Sequence, residues 1–232
     1  RFPSANVSII AKDFLEEIDN IDKKYHYIIA NPPYIRTQIL GADKAQKISN
    51  KTNLSGRIDI YYAFLLYMKK ILSHDGISGY ITSNKFFTIK SGSSVRDFMI
   101  NNYKIHSIVD FGDTKLFNAS VLPCIIVFSN GCTTNPEKVN FTSIYESKDK
   151  TSPFSSIVSI FDSINKDGRY SLEDGRVFDY CQGYLHDVSK GALWVIASNE
   201  KKKWLTTVES NTWLHLSDLG KIRVGIKTTA DN

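Results

Sequence analysis

Asn31-Pro32-Pro33-Tyr34 is the segment whose residue types and order could do chemistry. It follows directly on Tyr25–Ala30, a short aromatic and β-branched run that reads as a buried strand. Two consecutive prolines fix φ and remove two backbone donors, so the loop is stiff and its carbonyls point outward. Asn31 adds a side-chain carbonyl on the same loop. Two acceptors so held can grip an exocyclic amino group, and Tyr34 offers a face for stacking a planar base, worth about 1–3 kcal/mol. The N6 amino group of adenine presents the matching problem, because its lone pair is delocalised into the ring. Accepting both its hydrogens, through Asn31 Oδ1 and the Pro32 carbonyl, favours a pyramidal nitrogen that can meet an electrophilic methyl. The same acceptors stabilise the charge that develops on nitrogen, and no dedicated general base is needed before attack. A base inside a duplex must be turned out to reach such a loop. The plainer alternative is a Pro-rich turn at a strand end with an incidental tyrosine.

The elements that must position this loop alternate along the chain. Val7–Ala11 and Tyr25–Ala30 read as buried strands, Tyr61–Leu72 as a buried helix ended by Ser73-His74-Asp75-Gly76, and Ile77–Thr82 as a strand. Val95–Tyr103 reads as a helix, and Ile105–Phe111 and Cys124–Ser129 as strands. Strands alternating with helices indicate an α/β fold with a largely parallel sheet. Ligands of such sheets sit at the carboxyl ends of the strands, where Asp13, Asn31 and Asp110 fall. Residues 36–57 read as a polar, basic loop with some helix, 148–190 as a polar stretch, 191–216 as helical with three tryptophans, and 219–225 as a strand.

The chain has 232 residues, a net charge of +5 and 42% hydrophobic residues, as an ordinary globular protein does. Neither a membrane-spanning apolar run nor a signal segment is read, so a cytoplasmic, bacterial location is expected. The mild basic bias permits a polyanionic partner without demonstrating one. Between Arg36 and Arg57 five cations (Arg36, Lys44, Lys47, Lys51, Arg57) face one acid, Asp43. Lys201-Lys202-Lys203 forms a second basic stretch. Each such stretch is equally readable as a solvated face. Cys124, Cys132 and Cys181 form no C-x-x-C pair and read as free thiols, and no metal-ligand cluster or G-x-x-x-x-G-K motif occurs.

The order of motifs resembles that of N6-adenine DNA methyltransferases of bacterial restriction–modification systems, of the Eco57I and TaqI type. The segments that carry the resemblance are Asn31-Pro32-Pro33-Tyr34-Ile35-Arg36, Gly56 to Phe64 with Asp59, Tyr80 to Phe87, Arg96-Asp97-Phe98, Ile108-Val109-Asp110-Phe111, Phe117, and Cys124 to Phe128. The resemblance implies a Rossmann-like, S-adenosylmethionine-dependent methyltransferase fold, a three-layer sandwich with a mixed sheet. It implies catalytic roles for Asn31, Pro32 and Tyr34, with the base stacked between Tyr34 and Phe117. Asp13 and Phe14 would hold the cofactor adenine, although Asp13 is equally a helix N-cap and Phe117 equally a core residue. Asp59 is either near the active-site helix or its N-cap. Arg36, Lys44 and Lys47 would touch the DNA backbone. S-adenosylmethionine and double-stranded DNA are the implied partners, with no metal for methyl transfer and no membrane.

The family's Gly-rich first motif is absent, and the chain opens at Arg1 without methionine. We therefore read it as a fragment truncated on its N-terminal side. Residues 1–147 would be the C-terminal portion of the catalytic domain, 148–216 a connector with helices, and 217–232 the start of a target-recognition domain. By resemblance the family's strand order is 3-2-1-4-5-7-6, with Val7–Ala11 third and Tyr25–Ala30 fourth. The third strand would then be displaced or swapped, the fourth strand's edge covered by another chain in non-native self-association, and cofactor binding weak. Competing readings are a protein glutamine-N5 methyltransferase, an RNA base methyltransferase, or a non-catalytic DNA-binding specificity module.

Overall fold

The computed structural model describes residues 6–35, 39, 41–52, 59–114, 122–135, 139–150, 155–186 and 188–221, excepting the side chains of 42, 44, 45, 51, 52 and 199. One mixed sheet organises them. Its strands are β1 (Tyr25–Ala30), β2 (Leu72–Ser83), β3 (Tyr103–Asp110), β4 (Pro123–Asn130), β5 (Asn140–Glu146), β6 (Ser155–Ser156), β7 (Gly168–Ser171), β8 (Val177–His186) and β9 (Val195–Ala197). They run β1-β2-β4-β3-β5-β8-β7-β6, with β9 paired to β8. β1 is parallel to β2 and β3 to β5, whereas β4 is antiparallel to both its neighbours.

The sheet is mixed where strict alternation suggested a largely parallel one. No helix lies between β3 and β4 among the described residues, and antiparallel neighbours need only a loop, whereas parallel ones need a crossover. The order β1-β2-β4-β3 is the one expected for the fourth, fifth, seventh and sixth strands of the methyltransferase sheet. The fold is therefore Rossmann-like α/β.

Helices α3 (Ile60–Ile71) and α4 (Ser93–Asn102) cover one face. α3 is apolar almost all round and buries Tyr61, Tyr62, Leu65 and Met68, each worth about 1.5–3 kcal/mol of burial. Two tyrosines rising from the sheet pin it: Tyr80 Oη donates to the Tyr61 carbonyl at 2.8 Å and Tyr103 Oη to that of Leu65 at 2.6 Å. The opposite face packs Val109, Phe111, Ile144 and Phe178 into a second cluster. The short helices α1 (Phe14–Glu17) and α2 (Ala42–Thr52) lie beside α3, through Phe14 on Phe64 and Ile48 beside Ile60. α5 (Asn199–Asn211) and α6 (Leu216–Leu219) follow the sheet.

Three expectations change. Residues 6–10 form no strand, and Val7 and Ile9 are 78% and 89% exposed. β1 is a strand but not a buried one: it is the sheet's terminal strand, and Ile29 is 92% exposed. β propensity does not make a strand without a partner to hydrogen-bond. Finally, β7, β8 and β9 extend the sheet through the region read as polar connector, and only Asn199–Asn211 and Leu216–Leu219 of 191–216 are helical. No helix among the described residues is long and apolar enough to cross a membrane.

Candidate active site

Asn31-Pro32-Pro33-Tyr34 leaves the carboxyl end of β1, with Pro32 buried and Asn31 exposed. A backbone bond from Ile60 N to the Ile35 carbonyl, 2.8 Å, ties the end of this loop to the start of α3. Tyr34 packs its ring edge-on against Tyr61, with centroids 6.5 Å apart. Tyr61 in turn meets Tyr62 and Phe86, so an aromatic stack supports the loop from beneath. The Tyr34 hydroxyl donates to Asn31 Oδ1 at 3.0 Å. Burial, and then the nearby Cys124 thiol, push the Tyr34 phenol up to about 12. The acceptor and the stacking face proposed for the base are thus engaged with each other.

Beside the loop lies a cleft of about 610 Å³ with largely apolar walls that include Pro33, Ile35, Ile48, Ile60 and Phe64. Asp13 stands in its lining. One Asp13 oxygen accepts from Leu15 N at 3.0 Å, so Asp13 is the N-cap of α1. Phe14 stacks on Phe64, with centroids 4.9 Å apart and planes 19° apart. The N-cap alternative for Asp13 therefore holds at the level of local structure, and Phe14 works as packing. Lys47, expected on the DNA backbone, lines this cleft. Asp59 occupies the N-cap position of α3 without a side-chain capping bond. Arg36, Phe117 and the Lys44 side chain lie outside the described residues.

The structure also joins residues that sequence reasoning left apart. Asp110, the last residue of β3, is 6% exposed. Its Oδ1 accepts from Asn84 Nδ2 at 2.7 Å and Gly112 N at 3.1 Å, and its Oδ2 from Tyr145 Oη at 2.7 Å. Each residue stands at or near a strand end, and that position was the signal available. Among the described residues no group of three or more His, Cys, Asp or Glu could hold a metal ion. Cys124 is buried, Cys132 and Cys181 are exposed, and all three are free thiols.

The chain is similar to known proteins over much of its length. Residues 4–117 match the family model described as Eco57I restriction-modification methylase. The chain is 38% identical over 234 residues to the type II methyltransferase M.BanIII of Aneurinibacillus aneurinilyticus, across 97% of this chain and 39% of that protein. It is 28% identical to the type II methyltransferase M.BstVI of Geobacillus stearothermophilus, across 97% of this chain and 40% of that protein. Among solved structures, the M protein of the type I restriction enzyme EcoKI aligns at 13% identity and a TM-score of 0.44, over 86% of this chain and 51% of that one. The chain thus spans about two fifths of the length of these two curated relatives. Residues 4–117, just under half of the chain, are thus similar to the Eco57I restriction–modification methylase family.

Proposed function

We propose that the chain carries the active-site half of a type II restriction–modification DNA methyltransferase that acts on adenine N6. The observation that carries this reading is the stiff Asn31–Tyr34 loop at the carboxyl end of β1, next to the apolar cleft rimmed by Asp13. The cleft fits the adenosine end of S-adenosylmethionine: its volume lies within the range of small-molecule sites, its walls suit a planar ring, and Asp13 would accept from that ring's amino group. Bound there, S-adenosylmethionine supplies a methyl on a sulfonium.

Asn31 Oδ1 and the Pro32 carbonyl accept the two hydrogens of a flipped-out adenine, and Tyr34 stacks on its ring. The N6–CH3 bond forms as the S–CH3 bond breaks, S-adenosylhomocysteine departs, and the methylated nitrogen gives its extra proton to solvent. The acceptors are worth most when positive charge builds on nitrogen, so they lower the barrier rather than tighten ground-state binding. Tyr34 competes for Asn31 Oδ1, holding one of its two acceptor positions.

Asn31→Ala in the full-length protein tests the role. Transfer of labelled methyl to DNA should fall by at least about 100-fold, since one preorganised acceptor is worth on the order of 3 kcal/mol. DNA binding should stay nearly unchanged, because affinity comes mainly from phosphate contacts. A variant retaining more than about a tenth of the wild-type rate would show that Asn31 does not activate the nucleophile.

A further inference from the structure

Asn84 and Asp110 are at the same carboxyl edge of the sheet as Asn31, and the proposed methyl transfer uses neither. With Asp110 satisfied by three donors, the Asn84 amide is held in one orientation: its nitrogen faces Asp110. Its Oδ1 has no partner among the described residues. Both residues line a second cavity, of about 420 Å³, distinct from the Asp13 cleft. In the order β1-β2-β4-β3, Asp110 lies three strand spacings from Asn31, about 14 Å.

The cavity has an apolar side and one cation, Lys201, in a lining that also holds Asp110. Phe141, Trp194 and Ile196 supply the apolar lining. Lys201 is exposed in the first turn of α5, and its ammonium makes no ion pair among the described residues. The helix N-terminus beside it adds positive potential of its own. The walls are tied together. Arg96, 1% exposed, donates from Nε to the Ala192 carbonyl at 2.7 Å and from a terminal nitrogen to the Phe86 carbonyl at 2.6 Å. Trp194 N reaches the Phe87 carbonyl at 2.9 Å. The cavity is therefore preformed rather than a gap between independent pieces.

We propose that this cavity takes one nucleotide bearing an exocyclic amino group, a second nucleotide of the substrate strand besides the methylated one. The base lies against Phe141 and Trp194, its amino group donates to Asn84 Oδ1, and its phosphate meets Lys201 and the start of α5. A base with a carbonyl at that place would set acceptor against acceptor. Polar sites of this kind reject the unmatched partner by leaving a group unpaired. The inference rests on the reading of nucleic acid as substrate, and its test uses neither DNA nor methyl transfer.

The probes are dCMP and dUMP, equal in charge and nearly equal in shape, which differ by an amino group against a carbonyl. Each is titrated into the full-length protein and followed by calorimetry. Saturable dCMP binding in the millimolar range is expected, with dUMP weaker by about fivefold or more. Lys201→Ala should weaken both by about fivefold, and Asn84→Ala should bring dCMP down to the level of dUMP. Lys201 is exposed and makes no ion pair among the described residues, so its variant keeps the test alive if Asn84→Ala disturbs folding. Equal affinity for the two nucleotides, indifference to both substitutions, or no saturable binding of either overturns the proposal. A chain that methylates adenine in DNA but ignores dCMP sinks this inference alone, and one that binds dCMP as described without methylating DNA sinks only the methyltransferase reading.

Discussion

Tyr34→Phe separates the two things Tyr34 does. Its hydroxyl holds Asn31 Oδ1 at 3.0 Å, and its ring is the surface on which the adenine would stack. The variant deletes the hydroxyl and keeps the ring. A net hydrogen bond between neutral groups is worth about 0.5–1.5 kcal/mol, and Tyr34 is only half-buried, so about 1 kcal/mol is the working figure. That bond stabilises only the closed arrangement, in which one of the two acceptor positions of Asn31 Oδ1 is taken. A ligand that needs the open arrangement binds in proportion to its population. Losing about 1 kcal/mol from the closed side raises that population by about fivefold where the closed state dominates.

The expected outcome in the full-length protein is an apparent KM for DNA about fivefold lower, with kcat within about twofold of wild type. Tyr34→Ala should go the other way, because it also removes a stacking surface worth about 1–3 kcal/mol. The phenol, pushed up to about 12 by burial and Cys124, stays protonated throughout the neutral range. The ratio of wild type to Tyr34→Phe should therefore be flat between about pH 6 and 9. Steady-state methyl transfer at several pH values measures all of this. Should Tyr34→Phe raise KM as Tyr34→Ala does, the hydroxyl would be holding the base rather than Asn31, and the closed state would lose its meaning.

The other expectations concern stability and charge. Gly112 has φ +54°, and a Cβ there would come within 2.7 Å of the Tyr145 ring, so Gly112→Ala should cost about 2–4 kcal/mol. A thermal melt lowered by on the order of 10 °C would agree with that, and an unchanged melt would count against the packing described. Burial holds the Tyr34 and Tyr180 phenols at about 12 and those of Tyr61, Tyr80 and Tyr103 higher still. Unfolded phenols release their protons near pH 10. Below that pH these tyrosines add no pH dependence. Above it the unfolded state binds fewer protons, so stability falls as pH rises. Melting followed from about pH 8 to 11 with phenolate absorbance checks this; free titration of these groups near pH 10 in the folded chain would contradict it. Since Lys47 lines the Asp13 cleft, Lys47→Ala should alter S-adenosylmethionine affinity in the full-length protein and leave the salt dependence of DNA binding alone. Removing Arg36 and Lys44 should instead flatten that dependence by about one unit of slope per lost contact. The opposite partition would return Lys47 to the DNA.

The Asn31–Tyr34 loop was legible in the chain because its information is local. Asn31 to Tyr34 needs only two prolines and a preceding strand, and α3 announces itself as a continuous apolar run over three turns. Failures occurred where structure depends on a distant partner. Val7–Ala11 has the composition of a strand, yet residues 6–10 pair with nothing among the described residues. Gly168–Ser171 and Val177–His186 lie within 148–190, read as a polar stretch, yet they pair with each other and with β5. Arg96 entered only as part of the Arg96-Asp97-Phe98 segment of a helix, with no partner named for it. It is buried because the carbonyls of Phe86, Ile89, Gly191 and Ala192 converge on it, two of them nearly a hundred residues away. The bond between Tyr34 and Asn31, although local, is a choice of rotamer that no residue pattern encodes.

The link between Asn84 and Asp110 is the most telling case, because Asp110 had been named at a strand end while Asn84 stood only within the Tyr80–Phe87 segment. They stand 26 residues apart at the ends of β2 and β3, which are not neighbours in the sheet. Between them lies the start of β4. The Asn84 N–H bonds to the Leu122 carbonyl at 2.8 Å and the Phe111 N–H to that of Pro123 at 3.0 Å, so one short segment gathers both strand ends. Only the antiparallel insertion of β4 between β2 and β3 allows this. In a purely parallel sheet read from alternation, β4 would begin at the opposite edge and its first residues would lie far from both. The family's strand order, with the seventh strand between fifth and sixth, already contains that insertion. The contact was therefore derivable, but from topology rather than from any motif, and the same topology brings the second cavity to the edge that carries Asn31.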